Sequence, residues 1–198
     1  MRRELLYKEI KEFTEIAKRA FYLGLQSSTG GNISLKTQDN FIITKPSGKA
    51  LIGCTFEDLI ILDSQGHIIE GKEKPTKEIR LHLGIYNVRN DVRGIVHYHS
   101  PWTTAFAVQG VPVPLVTLHS KRILKRVPLI PDVKEGSLEL ARMVEKEFRD
   151  PQVLAVTVSK HGLIAVGPTL SFAQNIAELV EETAKTACFS LILEKVLN

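Results

Sequence analysis

The stretch GIVHYHSPW, residues 94–102, decides how the chain is read. Gly94, Ile95 and Val96 start an apolar run of the kind that fills a buried strand. Two histidines, His97 and His99, follow one residue apart, and Ser100-Pro101 then offers an N-cap and a first helical position. On a strand, residues i and i+2 point to one side, so the two imidazoles project together from a rigid element. A pair placed this way can hold one divalent cation; two solvated histidines at a strand end are the plain alternative.

Outward from this stretch, helical and strand patterns alternate. On the N-terminal side, Leu6, Ile10, Phe13, Ala17, Ala20 and Phe21 keep a helical period that Gly24 ends. The loop SSTGGNIS (27–34) overlaps the first of two strands, 33–36 and 41–44, which read as a hairpin around TQDN. KPSGKA (45–50) is a second glycine-containing loop, and 59–62 with 67–69 forms another β pair. Thr76 is expected to cap a helix running to about residue 89, with Ile79, Leu83 and Tyr86 on one face. On the C-terminal side, 113–118 reads as a strand, 138–148 as a helix and 153–159 as a strand. Lys160-His161-Gly162 then turns into 163–166, and Thr169 opens a long last helix. The pattern is that of a single α/β domain, residues 1–198, with a mixed sheet covered by helices.

Composition narrows the partners. The 198 residues are 43% hydrophobic and 24% charged, with a net charge of +4. Lysine and arginine are interleaved with acidic residues, and the one dense basic patch is Lys121-Arg122 with Lys125-Arg126. Basic helices and aromatic platforms are lacking, so no nucleic-acid partner is expected, whereas an anionic small molecule suits the mild positive bias. Cys54 and Cys188 lie far apart and form no metal-type pair. The charged, helically patterned opening does not read as a secretory signal, and no apolar run is long enough to span a membrane. A cytoplasmic protein without a membrane partner is the expectation.

Further residues extend the histidine pair. SKHGL puts His161 in a sharp turn between two apolar strands; it is either a water-facing turn residue or a third imidazole completing a three-histidine site with an open coordination position. In KPTKEIRLH, Glu78 falls in the first turn of a helix, where a carboxylate is favoured in any case. It could also be a fourth ligand or the base that moves a substrate proton. His82, four residues later on the same face, reads as a half-buried helix histidine, a ligand, or a partner behind the ligands. His67 and His119 read as surface or structural residues. Three segments suit an anion: Gly30-Gly31 with Thr29 and Asn32; Ser47 and the Gly48 amide with flanking lysines; and Thr76-Lys77 at a helix N-terminus. Together with a metal site they point to a phosphorylated or acidic substrate.

GGNIS, PSGK, DLIILDSQGHIIEG, PTKEIRLHLGIY, VHYHSPWTTAFA and KHGLIAVG occur in that order along nearly the whole chain. In this set the chain resembles the class II aldolase/adducin family. The resemblance implies a three-layer α/β/α fold with a mixed, mainly antiparallel central sheet. It implies a zinc-type divalent site with His97, His99 and His161 as ligands, and Glu78 as both resting ligand and proton carrier. Asn32 and Gly31, with Ser47 and Gly48, match the positions that hold the substrate phosphate; Thr76 and Lys77 stand where the aldolases carry two small hydroxyl residues. The implied reaction is cleavage of a ketose phosphate such as L-fuculose 1-phosphate, through a metal-stabilised enediolate, to dihydroxyacetone phosphate and an aldehyde. Sister reactions on the same fold are epimerisation, dehydration and decarboxylation, and the adducin branch is a non-catalytic module. A homotetramer with sites at subunit boundaries is the family's common assembly. The aldolases protonate the departing aldehyde oxygen with a tyrosine, and counting back from Gly136 puts Asp132 at that place.

Overall fold

The computed structural model describes residues 4 and 6–197. The helix expected at the start is α1 (Tyr7–Tyr22). It closes as a Schellman motif, in which Gly24 N–H bonds Phe21 O at 3.0 Å and Leu25 N–H bonds Ala20 O at 2.9 Å. β1 (Asn32–Lys36) and β2 (Ile42–Thr44) form the expected hairpin. A single 3₁₀ turn (Leu51–Gly53) leads to β3 (Ile60–Leu62) and β4 (Ile68–Glu70). After them come α2 (Ile79–Val88), β5 (Gly94–Tyr98), α3 (Pro101–Val108), α4 (Leu118–Leu124) and β6 (Leu129–Ile130). α5 (Leu138–Phe148), β7 (Ala155–Val158), β8 (Gly162–Gly167) and α6 (Leu170–Leu197) complete the order.

The strands make one mixed sheet in the order β4-β3-β2-β1-β5-β8-β7-β6. Every neighbouring pair is antiparallel except β6–β7. Side-chain alternation sorts the core onto two faces. Val96 and Tyr98 of β5 and Leu163 and Ala165 of β8 join Phe13 of α1 and Ala177 of α6 on one side. Ile95, Ile164 and Val166 join Ile85 of α2 and Val144 and Phe148 of α5 on the other. The fold is therefore the three-layer α/β/α arrangement, and its central strands are buried on both faces, which accounts for their nearly continuous apolar runs.

Two expectations are corrected. Residues 113–118 form no strand: Pro112 and Pro114 lack the N–H groups a ladder needs, and Thr117 instead caps α4 in a reciprocal bond pattern with Ser120. Thr76 is not the cap of α2, which begins at Ile79 with Glu78 in the cap position. Thr76 lies a turn earlier, where its carbonyl accepts from Ile79 N–H at 3.2 Å. Ser100 and Pro101 do occupy the N-cap and N1 positions of α3, yet the Ser100 side chain makes no capping bond. Glu181, from α6, takes that role by accepting from Trp102 N–H at 2.9 Å, Thr103 N–H at 2.8 Å and the Thr103 hydroxyl at 2.7 Å.

Candidate metal centre

The site grows from the face of the sheet that lies under α2. In the β1–β5 ladder Asn32 is opposite His97 and Ser34 is opposite Ile95. Asn32, Ser34 and His97 thus form a polar strip within an otherwise apolar face. His97 ends the buried part of β5, and His99 follows just past the strand with its side chain exposed. His161 comes from the turn before β8. A Cβ on Gly162 would overlap the carbonyl oxygen of Tyr98, so only glycine lets the turn come this close to β5.

These elements bring three imidazoles together. His97 Nε2 is 3.2 Å from His99 Nε2 and 3.3 Å from His161 Nε2. Two nitrogens each about 2.05 Å from a tetrahedral cation are about 3.3 Å apart, so the spacing suits one ion. The His97 tautomer suits it as well. His97 Nδ1 lies 3.0 Å from the carbonyl oxygen of Leu163, which can only accept, so the ring proton is on Nδ1 and the Nε2 lone pair faces the cluster. Burial, against the attraction of Glu78, pushes His97 down to about 3, and burial together with His161 also lowers His99. Neutral imidazoles are the form that binds a metal.

Glu78 closes the cluster from above. Its Oε2 is 3.2 Å from His97 Nε2 and accepts from Asn32 Nδ2 at 2.8 Å. Its Oε1 is 3.8 Å from His161 Nε2 and, among the described residues, has no hydrogen-bond partner although it is buried. Burial raises this carboxyl, but His97, His161 and Asn32 outweigh that and hold it below the usual carboxylate range. A buried, ionised oxygen without a donor, beside three nitrogen lone pairs, is the arrangement a divalent cation satisfies. The residues present fit the metal.

The cluster borders a cavity of about 280 Å³. Gly31, Asn32, Ser47, Gly48, Thr76 and Lys77 all line it, along with Glu78 and His99. Some of the expected donors are already engaged: Ser47 N–H bonds Lys74 O at 2.9 Å and Thr76 N–H bonds Lys45 O at 3.2 Å. These bonds tie the two loops together, the Thr76 hydroxyl accepts from Glu78 N–H at 3.4 Å, and Ser47, Thr76 and Lys77 line the cavity. The glycine loop is held from below, since Gly31 takes φ +61° and a Cβ there would be 2.7 Å from the His97 carbonyl.

His82 is not at the cluster. It is fully buried, with Nε2 2.5 Å from Asn32 Oδ1 and Nδ1 2.6 Å from Ser34 Oγ, and burial pushes it down to about 4. Asp132 lies outside the cavity lining, in an exposed ion pair with Lys160 at 2.6 Å. His67 bonds Asp63 in its hairpin turn and His119 bonds Arg122 on the surface. Two residues escaped sequence reading as site residues, and one of the lysines flanking Ser47 does more than expected. Glu135 lines the cavity. Gln26 Oε1 accepts from His99 N–H at 2.8 Å. Lys45, almost wholly buried, donates to Thr29 O at 2.9 Å and Lys49 O at 2.5 Å. A lysine just ahead of Pro-Ser-Gly was the available signal for Lys45; the other two depend on long-range packing.

Known proteins share this frame. Residues 11–188 match the family described as Class II Aldolase and Adducin N-terminal domain. The L-fuculose phosphate aldolase of Methanococcus vannielii is 36% identical over 177 residues, covering 89% of this chain and 94% of the relative. The 3-oxo-tetronate 4-phosphate decarboxylase of Escherichia coli is 31% identical over 180 residues, covering 88% and 84%. A solved L-fuculose 1-phosphate aldolase superposes with a TM-score of 0.86 at 28% identity, covering 93% of this chain and 86% of that one. The chain belongs to the class II aldolase and adducin family, on its metal-dependent lyase side.

Proposed function

We propose that the protein is a zinc-type aldolase, one domain over residues 1–198, which cleaves a ketose phosphate such as L-fuculose 1-phosphate to dihydroxyacetone phosphate and an aldehyde. The observation that carries this reading is the buried Glu78 Oε1, without a donor among the described residues and 3.8 Å from His161 Nε2, beside the cluster of His97, His99 and His161. When bound there, a divalent cation supplies Lewis acidity to the substrate's carbonyl oxygen. His97, His99, His161 and Glu78 hold it. The hydroxyls of Ser47 and Thr76, the amide of Gly48 and the Lys77 ammonium, with Asn32 and Gly31 beside them, take the phosphate and fix the reacting carbons against Glu78. Displaced from the cation by substrate, Glu78 would take up the proton lost by the hydroxyl that becomes the aldehyde and pass it to the carbon that keeps the electron pair of the broken carbon–carbon bond, with the transfers reversed in condensation.

Decarboxylation of a phosphorylated sugar acid is the second reading, favoured by the Escherichia coli relative's name. It uses the same residues and differs in the bond broken. The working form on either reading is a cytoplasmic homotetramer. Phe189, Leu191, Ile192, Leu193 and Val196, exposed along the end of α6, support an assembly. Among the described residues no helix is long and apolar enough to cross a membrane.

The deciding experiment loads the purified protein with zinc and supplies ketose phosphates and phosphorylated 3-oxo acids in turn. Dihydroxyacetone phosphate from a ketose phosphate is the expected product. Carbon dioxide from an oxo acid alone establishes the second reading, and no product from either class refutes both.

A further inference from the structure

His82 has no place among the metal-binding nitrogens, yet it is fully buried and both of its ring nitrogens are bonded. The bond directions can be assigned from the carboxylate inward. An ionised carboxylate only accepts, so the Asn32 atom 2.8 Å from Glu78 Oε2 is the amide nitrogen, and Oδ1 faces the other way. Oδ1 in turn only accepts, so His82 Nε2, at 2.5 Å, carries the ring proton. Burial keeps the ring neutral, which leaves Nδ1 bare to accept from the Ser34 hydroxyl at 2.6 Å. Ser34 Oγ then accepts from the Tyr86 hydroxyl at 2.8 Å, which takes the Tyr86 proton from the longer 3.4 Å contact with the Arg93 carbonyl. From Glu78 to Ser34 each member has one role that fits both of its neighbours.

From this directed chain we infer that His82 is a positioning residue for the metal centre, which acts by locking the Asn32 amide with its nitrogen toward Glu78. Without the His82 donor, Oδ1 would be left unpaired in the interior, and turning the amide over would set two acceptors against each other at Glu78. The lock has two effects. It occupies Glu78 Oε2 with an N–H and so leaves Oε1 as the oxygen free for the cation. It also fixes the orientation of Asn32, which lines the cavity. The inference rests on the metal-binding part of the proposed function and on no particular substrate.

The test compares His82→Gln, which keeps a side-chain N–H donor, with His82→Met, of similar size and without one. Zinc affinity is read by competition with a chelator, so no substrate enters. His82→Met is expected to weaken zinc about 10- to 100-fold, as loss of a residue behind the ligands commonly does, with His82→Gln within about 3-fold of the parent. Asn32→Ala should weaken it similarly, and the Asn32→Ala, His82→Met double variant no further, because the two residues act in series. Unchanged affinity in a folded His82→Met protein overturns the inference, and so do multiplicative losses in the double variant. A second measurement needs no variant at position 82 to fold: in the parent protein at neutral pH, long-range ¹H–¹⁵N spectra should show His82 protonated at Nε2 alone. An Nδ1-protonated or doubly protonated ring overturns it. If the parent binds no zinc, the metal reading falls and the ring spectrum still decides the His82 assignment.

Discussion

Asn32 stands directly across the β1–β5 ladder from His97, and its amide reaches over that pairing to bond Glu78 at the start of α2. One strand pair therefore sets the distance between a candidate ligand histidine and the carboxylate that closes the cluster. The helix layer and the sheet are joined here by polar groups, while the rest of that interface is apolar.

Replacing Glu78 by Gln keeps the shape of the side chain and removes its charge and proton capacity. Exchange of the carbon-bound proton of dihydroxyacetone phosphate with solvent should slow about 10²- to 10⁴-fold, the usual range for a positioned acid–base group. Proton NMR in deuterated buffer measures it. Exchange at the parental rate would remove Glu78 from the proton-carrying role.

His82 makes stability depend on pH. Its folded-state value is about 4, against roughly 6.5 in an unfolded chain, so between these values the unfolded chain binds more protons. Stability is fully present above about pH 6.5 and is lost as pH falls toward 4, by about 3 kcal/mol from this one buried group. His97 contributes in the same direction. In urea titrations of metal-free protein, parent and His82→Gln should converge in relative stability as the pH drops from 7.5 to 4.5. Parallel pH profiles would show that His82 does not titrate in this way.

Glu181 bonds the first turn of α3 from a different helix. Glu181→Ala should therefore lower unfolding free energy by about 1–2 kcal/mol, the range for losing an N-cap. Denaturant midpoints measure this, and zinc content should stay at the parental level, since Glu181 touches none of the ligands.

Charge placed on the end of α6 should break the assembly. Ile192→Asp and Leu193→Asp alter side chains about half exposed in the isolated chain, so folding should be retained. Light scattering after size-exclusion chromatography should find tetramers for the parent and smaller species for the variants. A monomeric parent would instead leave this apolar end unexplained by self-association.

Much of this architecture was legible because local chemistry and tertiary structure agree. His97 and His99 are two apart on a strand, and the strand exists; Gly24 follows a helical period, and the helix stops there. Where the structure departs from the sequence reading or adds to it, a missing backbone donor or a distant residue decides. The apolar segment 113–118 resembles a strand until Pro112 and Pro114 are weighed as missing donors. Ser100-Pro101 looks like a self-sufficient helix start, whereas its cap arrives from Glu181 of α6. Asp132, placed by counting along the sequence, is diverted to Lys160, and Glu135 lies at the cavity instead. His82 offered several readings from spacing alone, because its partners Asn32 and Ser34 come from β1, about fifty residues earlier.

The pairing of β5 with β8 also governs when this centre can come into being during synthesis. His97 bonds a carbonyl 66 positions further along the chain, and the clamp on α3 comes later still. A nascent chain emerging from the ribosome with β1 to β5 complete would still present β5 as an open edge, with its imidazole pair bare and ready to capture stray strands or ions. The cluster can therefore close only once His161 and β8 have been made and β8 has paired with β5.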